Sequence, residues 1–233
     1  MPPPPADELP APYVQALEAA RWPGRCQTVR DPAHAGTTWF LDGAHTLESL
    51  ECCMKWFVSP AAALRTEPDA RPRRVLIFNC TAGRTGASFL GAMLAGVESL
   101  LREHARVGES KEAFFDDVVF CTNVTYASGH YKGGACRFRV PPPSVLLTAA
   151  LDLTSKNVHE DDLAALKTQH ELAGAWRALL PSFPAARVHV LPSVEHAVAV
   201  ARQAPQPVDV LVAGSLHLVG GVIEVAGLKD VAL

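Results

Sequence analysis

Short apolar runs alternate along the chain with stretches whose apolar residues recur at three- and four-residue spacing. TWFLD is followed by a helical pattern over Thr46 to Val58, and RVLIFN by one over Ala87 to His104. DDVVFC leads into a long variable stretch, after which come a helical pattern over Asp161 to Leu180 and the run ARVHVL. A helix over Val194 to Arg202, the run VDVLVAG and a last helix after Ser215 close the series. Runs without polar alternation are what strands covered on both faces look like, and their alternation with helices predicts βαβ units. The pattern therefore predicts an α/β fold: a mostly parallel sheet with helices on both faces.

The ends and breaks of the pattern set the domain organisation. Pro2 to Pro5 cannot enter a helix, so residues 1–21 read as a proline-rich leader with a short linking helix over about Tyr13 to Arg21. The folded domain is expected from Trp22 to the C-terminus at residue 233. Ser59 to Arg74 and Ala127 to Ser144, rich in proline, glycine and basic residues, read as surface loops.

Composition narrows the function classes. Twenty-one Lys and Arg against 24 Asp and Glu give a formal net charge of -3, with no basic run to suit nucleic acid. None of the six cysteines forms a C-x-x-C pair, which reads as reduced thiols in a cytoplasmic setting rather than a disulfide framework or zinc site. The N-terminus has neither a secretory nor a transit signal. The most apolar window, Val208 to Leu228, carries Asp209, His217 and Glu224, which suits a strand and helix better than a membrane span.

Three strand ends carry the candidate chemistry. Ligands of open α/β sheets gather at the carboxyl ends of strands, where helix N-termini present unpaired N–H groups. Here those ends read Asp42-Gly43-Ala44-His45-Thr46, Asn79-Cys80-Thr81-Ala82-Gly83-Arg84-Thr85-Gly86 and Gly214-Ser215-Leu216-His217. Asp42 either closes a turn or hydrogen-bonds a ribose or base, and His45 is a packed histidine, a nucleotide contact or, least favoured, a metal ligand. Thr46 is expected to cap a helix, with Glu48 and Glu51 complementing its dipole. TAGRTG is either a glycine turn or an anion cradle helped by Arg84; it is not a Walker loop, and no Gly-x-x-x-x-Gly-Lys-Ser/Thr occurs in the chain. Ser215 lacks the Gly-x-Ser-x-Gly context of a hydrolase elbow and reads as a helix cap. Trp176 is expected in the core, and His104, His159, His170, His189 and His196 have no defensible ligand spacing.

WPGRCQTV, TWFLDGAHTLESLECCMKWF, VLIFNCTAG, FDDVVFCTNVTY and VDVLVAGSLHLVGGVIEVA, in that order, resemble the C-terminal part of the folylpolyglutamate synthase (tetrahydrofolylpolyglutamate synthase) family in its eukaryotic, fungal style. The resemblance implies a Rossmann-like domain of the Mur ligase C-terminal type. It also implies an ATP-dependent ligase of one-carbon metabolism that adds glutamate to tetrahydrofolate through an acyl phosphate. On the same basis Arg25 reaches the ATP phosphates, Asp42 and His45 hold the ribose and neighbouring groups, and Ser215 lies near the adenine side, with no catalytic residue on this chain. ATP, folate and glutamate are the implied ligands, and Mg2+ and the P-loop belong to an N-terminal ATPase domain outside this chain. The expected chain is a monomer, inactive alone and cytoplasmic, with a mitochondrial isoform possible for the family. Where the family reads TGDRD this chain has TAGRTG, which leaves that loop without an assigned role. The alternatives are a non-catalytic nucleotide- or protein-binding module derived from the ligase and, third, a hydrolase using Ser215.

Overall fold

A computed structural model describes residues 9–20, 22–60, 71–80, 86–128, 165–205 and 207–233. The strands are β1 (Gln27–Arg30), β2 (Thr37–Leu41), β3 (Arg73–Phe78), β4 (Asp117–Cys121), β5 (Val188–Leu191) and β6 (Val208–Ala213). They form one sheet in the order β1-β2-β6-β3-β4-β5, in which β1 pairs antiparallel with β2 and every other pairing is parallel. The helices are α1 (Ala11–Ala19), α2 (Leu47–Phe57), α3 (Gly86–Glu103), α4 (Lys167–Leu179), α5 (Val194–Gln203), α6 (Leu216–Val225) and the single turn α7 (Lys229–Ala232).

Strand residues divide by parity between two cores. Phe40, Leu76, Phe78, Val118, Phe120 and Leu211 face α2, α3 and α4, while Trp39, Leu41, Val75, Ile77, Val210 and Val212 face α5 and α6. Both sets are buried, which is why the runs read as continuously apolar. Phe40 meets Phe57 edge-on at 5.0 Å, and Trp176, 1% exposed, meets Phe183 at 5.5 Å. The sequence expectation of a core tryptophan holds.

Helix exits create a crevice at one edge of the sheet. The chain leaves β2 and β3 toward the α2/α3 face, whereas it leaves β6, which lies between them, toward the α6 face. Strand ends whose helices depart to opposite faces leave a gap at the sheet's carboxyl edge. The ends of β2, β6 and β3 therefore meet there.

Some boundaries differ from the sequence reading. The first helix spans Ala11–Ala19 rather than Tyr13 to Arg21; its described residues bury no side chain, and Trp22 is 77% exposed. β1, a four-residue edge strand with only Val29 buried, gives too weak a pattern to be noticed. The loop expected to reach Arg74 ends earlier, because β3 starts at Arg73 and Arg74 is wholly buried. Its guanidinium lies 4.3 Å from the centre of the Phe114 ring and pairs with Glu109 at 2.8 Å, so a basic residue became core by acquiring partners. Pro2 to Pro5, residues 61–70 and most of Ala127 to Ser144 lie outside the described residues.

The edge hairpin is fixed by Asp31. Its carboxylate accepts from the Ala33 and His34 amides, Trp39 Nε1 at 3.0 Å and Arg202 Nε and Nη2 at 3.0 and 2.9 Å, and Arg202 also donates to the Ala226 carbonyl. Burial alone would raise the Asp31 pKa, but the hydrogen bonds from Trp39, Arg202 and Ala33 and the charge of Arg202 hold it below the ordinary value. A depressed carboxyl stabilises the fold above its unfolded pKa of roughly 4, and that contribution disappears as pH falls through the lower folded value. Asp31→Asn should cost about 3 kcal/mol at neutral pH and flatten the acid side of the stability curve, read by urea unfolding at several pH values. Unchanged neutral stability would contradict this role.

Candidate functional site

β2 stops at Asp42 because that side chain serves the turn beyond it. Asp42 is 4% exposed, and its backbone N–H still donates to the Val212 carbonyl at 3.0 Å. One carboxylate oxygen accepts from the Ala44 N–H at 2.8 Å, and the other from the Cys26 N–H at 2.8 Å and the Cys26 thiol at 3.1 Å. Partial burial, the hydrogen bond to Asp42 and the Asp42 charge push the Cys26 thiol up to about 12, so it stays protonated and donates. Arg25 Nη1 lies 3.8 Å from Asp42 Oδ1, with its side chain 37% exposed. Asp42 thus closes the turn and holds the segment carrying Arg25.

His45 is exposed, with Nδ1 3.2 Å from the Gly43 carbonyl oxygen. Behind it Thr46 caps α2 in a reciprocal arrangement with Ser49, and Glu48 occupies the first turn, as expected, whereas Glu51 lies beyond that turn and pairs with Lys55 at 2.7 Å. The Gly43 N–H donates to the Gly24 carbonyl at 2.8 Å. A Cβ on Gly43 would lie 2.3 Å from Leu216 Cδ2, so only glycine lets this turn pack against the start of α6. Residues 24–26, 42–45 and 214–217 consequently form one patch at the carboxyl edge of β2 and β6.

Ser215 caps α6, its hydroxyl oxygen accepting from the His217 and Leu218 amides at 3.2 and 3.4 Å. Among the described residues no histidine ring is hydrogen-bonded to it, so the catalytic serine of a hydrolase finds no base here. His217 is exposed and enters the turn through its backbone N–H. Gly214, at φ +100°, abuts β3: a Cβ there would come 2.1 Å from the Asn79 carbonyl oxygen.

Sequence reasoning missed the polar side chains beneath this edge. Gln169 on α4 donates to Asn79 Oδ1 at 3.0 Å, Asn79 donates to Asn123 Oδ1 at 3.1 Å, and Asn123 Nδ2 lies 3.5 Å from Ser215 Oγ. Asn79 and Gln169 are 5% and 4% exposed. Buried amides spend their donors and acceptors on one another, and the only signal in sequence was Asn79 at a strand end.

The loop at residues 81–85, including Arg84 of the suggested anion cradle, lies outside the described residues, as does His159. Among the described residues no three His, Cys, Asp or Glu side chains gather where a metal ion could sit, so no magnesium ligand set is assigned to them. No helix among them is long and apolar enough to cross a membrane. At the opposite edge a cleft of about 440 Å³ is lined by Glu98, Arg102, Arg106, Glu109 and Lys111. Its charges are already matched, Lys111 and Arg102 to Glu98 and Arg106 and Arg74 to Glu109, which leaves little to recognise a ligand.

Comparison with known proteins gives a consistent relationship. The chain is 32% identical over 214 residues to folylpolyglutamate synthase of Candida albicans, covering 91% of this chain and 35% of that protein. It is 32% identical to the Neurospora crassa folylpolyglutamate synthase over 97% of this chain and 37% of that protein. The chain thus spans about a third of the length of these curated relatives. The solved structure of E. coli FolC in complex with DHPP and ADP shares the fold, with a TM-score of 0.50 at 17% identity over 96% of this chain and 36% of that one. No family model matches the chain.

Removal of the Asp42 carboxylate would leave the N–H of the buried Ala44 and the N–H of Cys26 without their acceptor. Asp42→Ala should cost about 2 kcal/mol of stability and speed hydrogen exchange at those two amides, measured by urea unfolding and amide exchange. Wild-type protection at Cys26 and Ala44 would show that the turn stands without it.

Proposed function

Because the chain is a homologue of the fungal folylpolyglutamate synthases over about a third of their length, we propose that it is the carboxy-terminal portion of an ATP-dependent ligase adding glutamate to tetrahydrofolate. In this reading a second domain, outside this chain, carries the P-loop and the magnesium ligands. It forms the acyl phosphate that the glutamate amine attacks. This chain supplies the other wall of the nucleotide site.

The observation that carries the reading is the joint patch at the ends of β2 and β6. Arg25 is anchored beside Asp42 yet open to solvent, which suits a planar donor waiting for phosphate oxygens. His45 stands exposed on the same turn, and Ser215 heads α6 beside it. Asp42 takes part chiefly through what it holds in place. A ribose hydroxyl reaching the rim of its carboxylate would add to three internal hydrogen bonds rather than replace them. ATP, folate and glutamate are the ligands of the complete enzyme, and in this reading the P-loop and magnesium ion that orient the terminal phosphate come from the second domain, with Arg25 adding charge from this side.

Two measurements test the proposal. Titration of the 15N-labelled chain with ADP should shift the amides of Cys26 and Gly43 to Thr46, and Arg25→Ala should weaken that binding about tenfold with little change in melting. An unmoved turn in the wild-type chain would remove the nucleotide assignment. Incubation of the chain alone with ATP, magnesium, tetrahydrofolate and labelled glutamate should yield no extended folate. Turnover there would overturn the division of labour.

A further inference from the structure

We infer that Gln169, Asn79 and Asn123 form a directional amide relay that presents no acceptor to the Ser215 hydroxyl, which is therefore left as an outward hydrogen-bond donor, so that the ligand group meeting Ser215 must be an acceptor. The inference rests on the nucleotide-ligase reading of this edge and extends it to Asn79 at its strand end and to Asn123 and Gln169, which the sequence reading assigned no role.

The direction follows from one backbone carbonyl. Gln169 Nε2 lies 3.4 Å from the Cys121 carbonyl oxygen, which can only accept, so that end of Gln169 is its NH2 group. The same nitrogen faces Asn79 at 3.0 Å, so Asn79 presents its oxygen there and its NH2 to Asn123. Asn123 then presents oxygen to Asn79 and NH2 to Ser215. The last link, at 3.5 Å, is the longest, but two helix amides at 3.2 and 3.4 Å also point at Ser215 Oγ. Two lone pairs are shared among these three donors and none of the three offers an acceptor, so the hydroxyl hydrogen is directed away from the helix and the relay. Among the described residues it has no acceptor. Ser215 is 6% exposed, so a donor left idle there is costly unless a ligand takes it. The acceptor could be a purine ring nitrogen or a carboxylate; both share the chemistry, and separate probes distinguish them.

Reversal of the relay by isosteric replacement tests the inference. In Asn79→Asp both carboxylate oxygens accept, so Asn123 must turn its NH2 toward residue 79 and its carbonyl toward Ser215, whose hydroxyl is then drawn inward. Asn123→Ala removes more atoms but leaves the two capping N–H groups on Ser215, and the outward donor survives. A merely structural role predicts the opposite ranking. The 15N-labelled chain is titrated separately with adenosine, which is uncharged and so little affected by a new carboxylate, and with L-glutamate. One of the two should shift the Ser215, Leu216 and His217 amides, with affinity about tenfold weaker in Asn79→Asp and changed by less than about twofold in Asn123→Ala. Thermal melting establishes that each variant is folded; should Asn79→Asp not fold, Asn123→Asp makes the same reversal at a half-exposed position. Equal affinity in wild type and the reversed variant, a larger loss in Asn123→Ala, or neither probe moving those amides would overturn the relay. Failure of the nucleotide reading is separate: it shows as an ADP titration that leaves residues 42–46 unmoved.

Discussion

A single buried carboxylate organises the end of the sheet. Asp42 completes β2 through its own N–H, ties the following turn through Ala44, and ties the segment before β1 through Cys26. Each of these donors would otherwise be a backbone N–H held near the protein interior without a partner. The arrangement brings Arg25 to the rim and lets Gly43 slip under Leu216. Every element of the proposed nucleotide surface is therefore placed directly or at one remove by a group that is itself almost wholly enclosed. Placing the carboxylate inside and the arginine at the rim separates the group that orients from the group left to make contacts.

The two edges of the sheet differ in kind. At the amino edge Arg71 pairs with Asp116, Arg73 with Asp117 and Arg74 with Glu109, and His189 lies against Asp117. Those charges satisfy one another and stiffen the β3–β4 junction. At the carboxyl edge the described polar groups include a chain of neutral amides ending on a serine and the Asp42 carboxylate, with the partly exposed Arg25 and the exposed His45 and His217 beside them. Neutral amides can be buried without the desolvation cost of ions while still dictating direction. The contrast separates an edge of paired ions from an edge of buried neutral amides in the same sheet.

The sequence carried the fold well because β2, β3, β4 and β6 are buried on both faces and read as unbroken apolar runs, while α2, α3 and α5 keep an apolar stripe. β1 escaped because an edge strand with one buried residue leaves no period. The caps Thr46 and Ser215 were legible because their chemistry is local, one side chain and the amides two or three residues on. Asp42 was half legible: its place at a strand end was clear, but its commitment to Cys26, sixteen positions earlier, was not. The relay was invisible, since Asn79, Asn123, Gln169 and Ser215 come from four separate parts of the chain and only the fold joins them. Asp31 and Arg202, 171 positions apart, were hidden for the same reason.

The central claim is that the carboxyl edge at β2 and β6, and not the charged cleft at the other end, is where a nucleotide binds. Photolabelling of the purified chain with 8-azido-ADP, followed by peptide mapping, tests it directly. The account predicts label on peptides carrying residues 22–26, 42–47 or 214–217, suppressed by unmodified ADP. Label confined to residues 98–112, or label that ADP does not suppress, would contradict it.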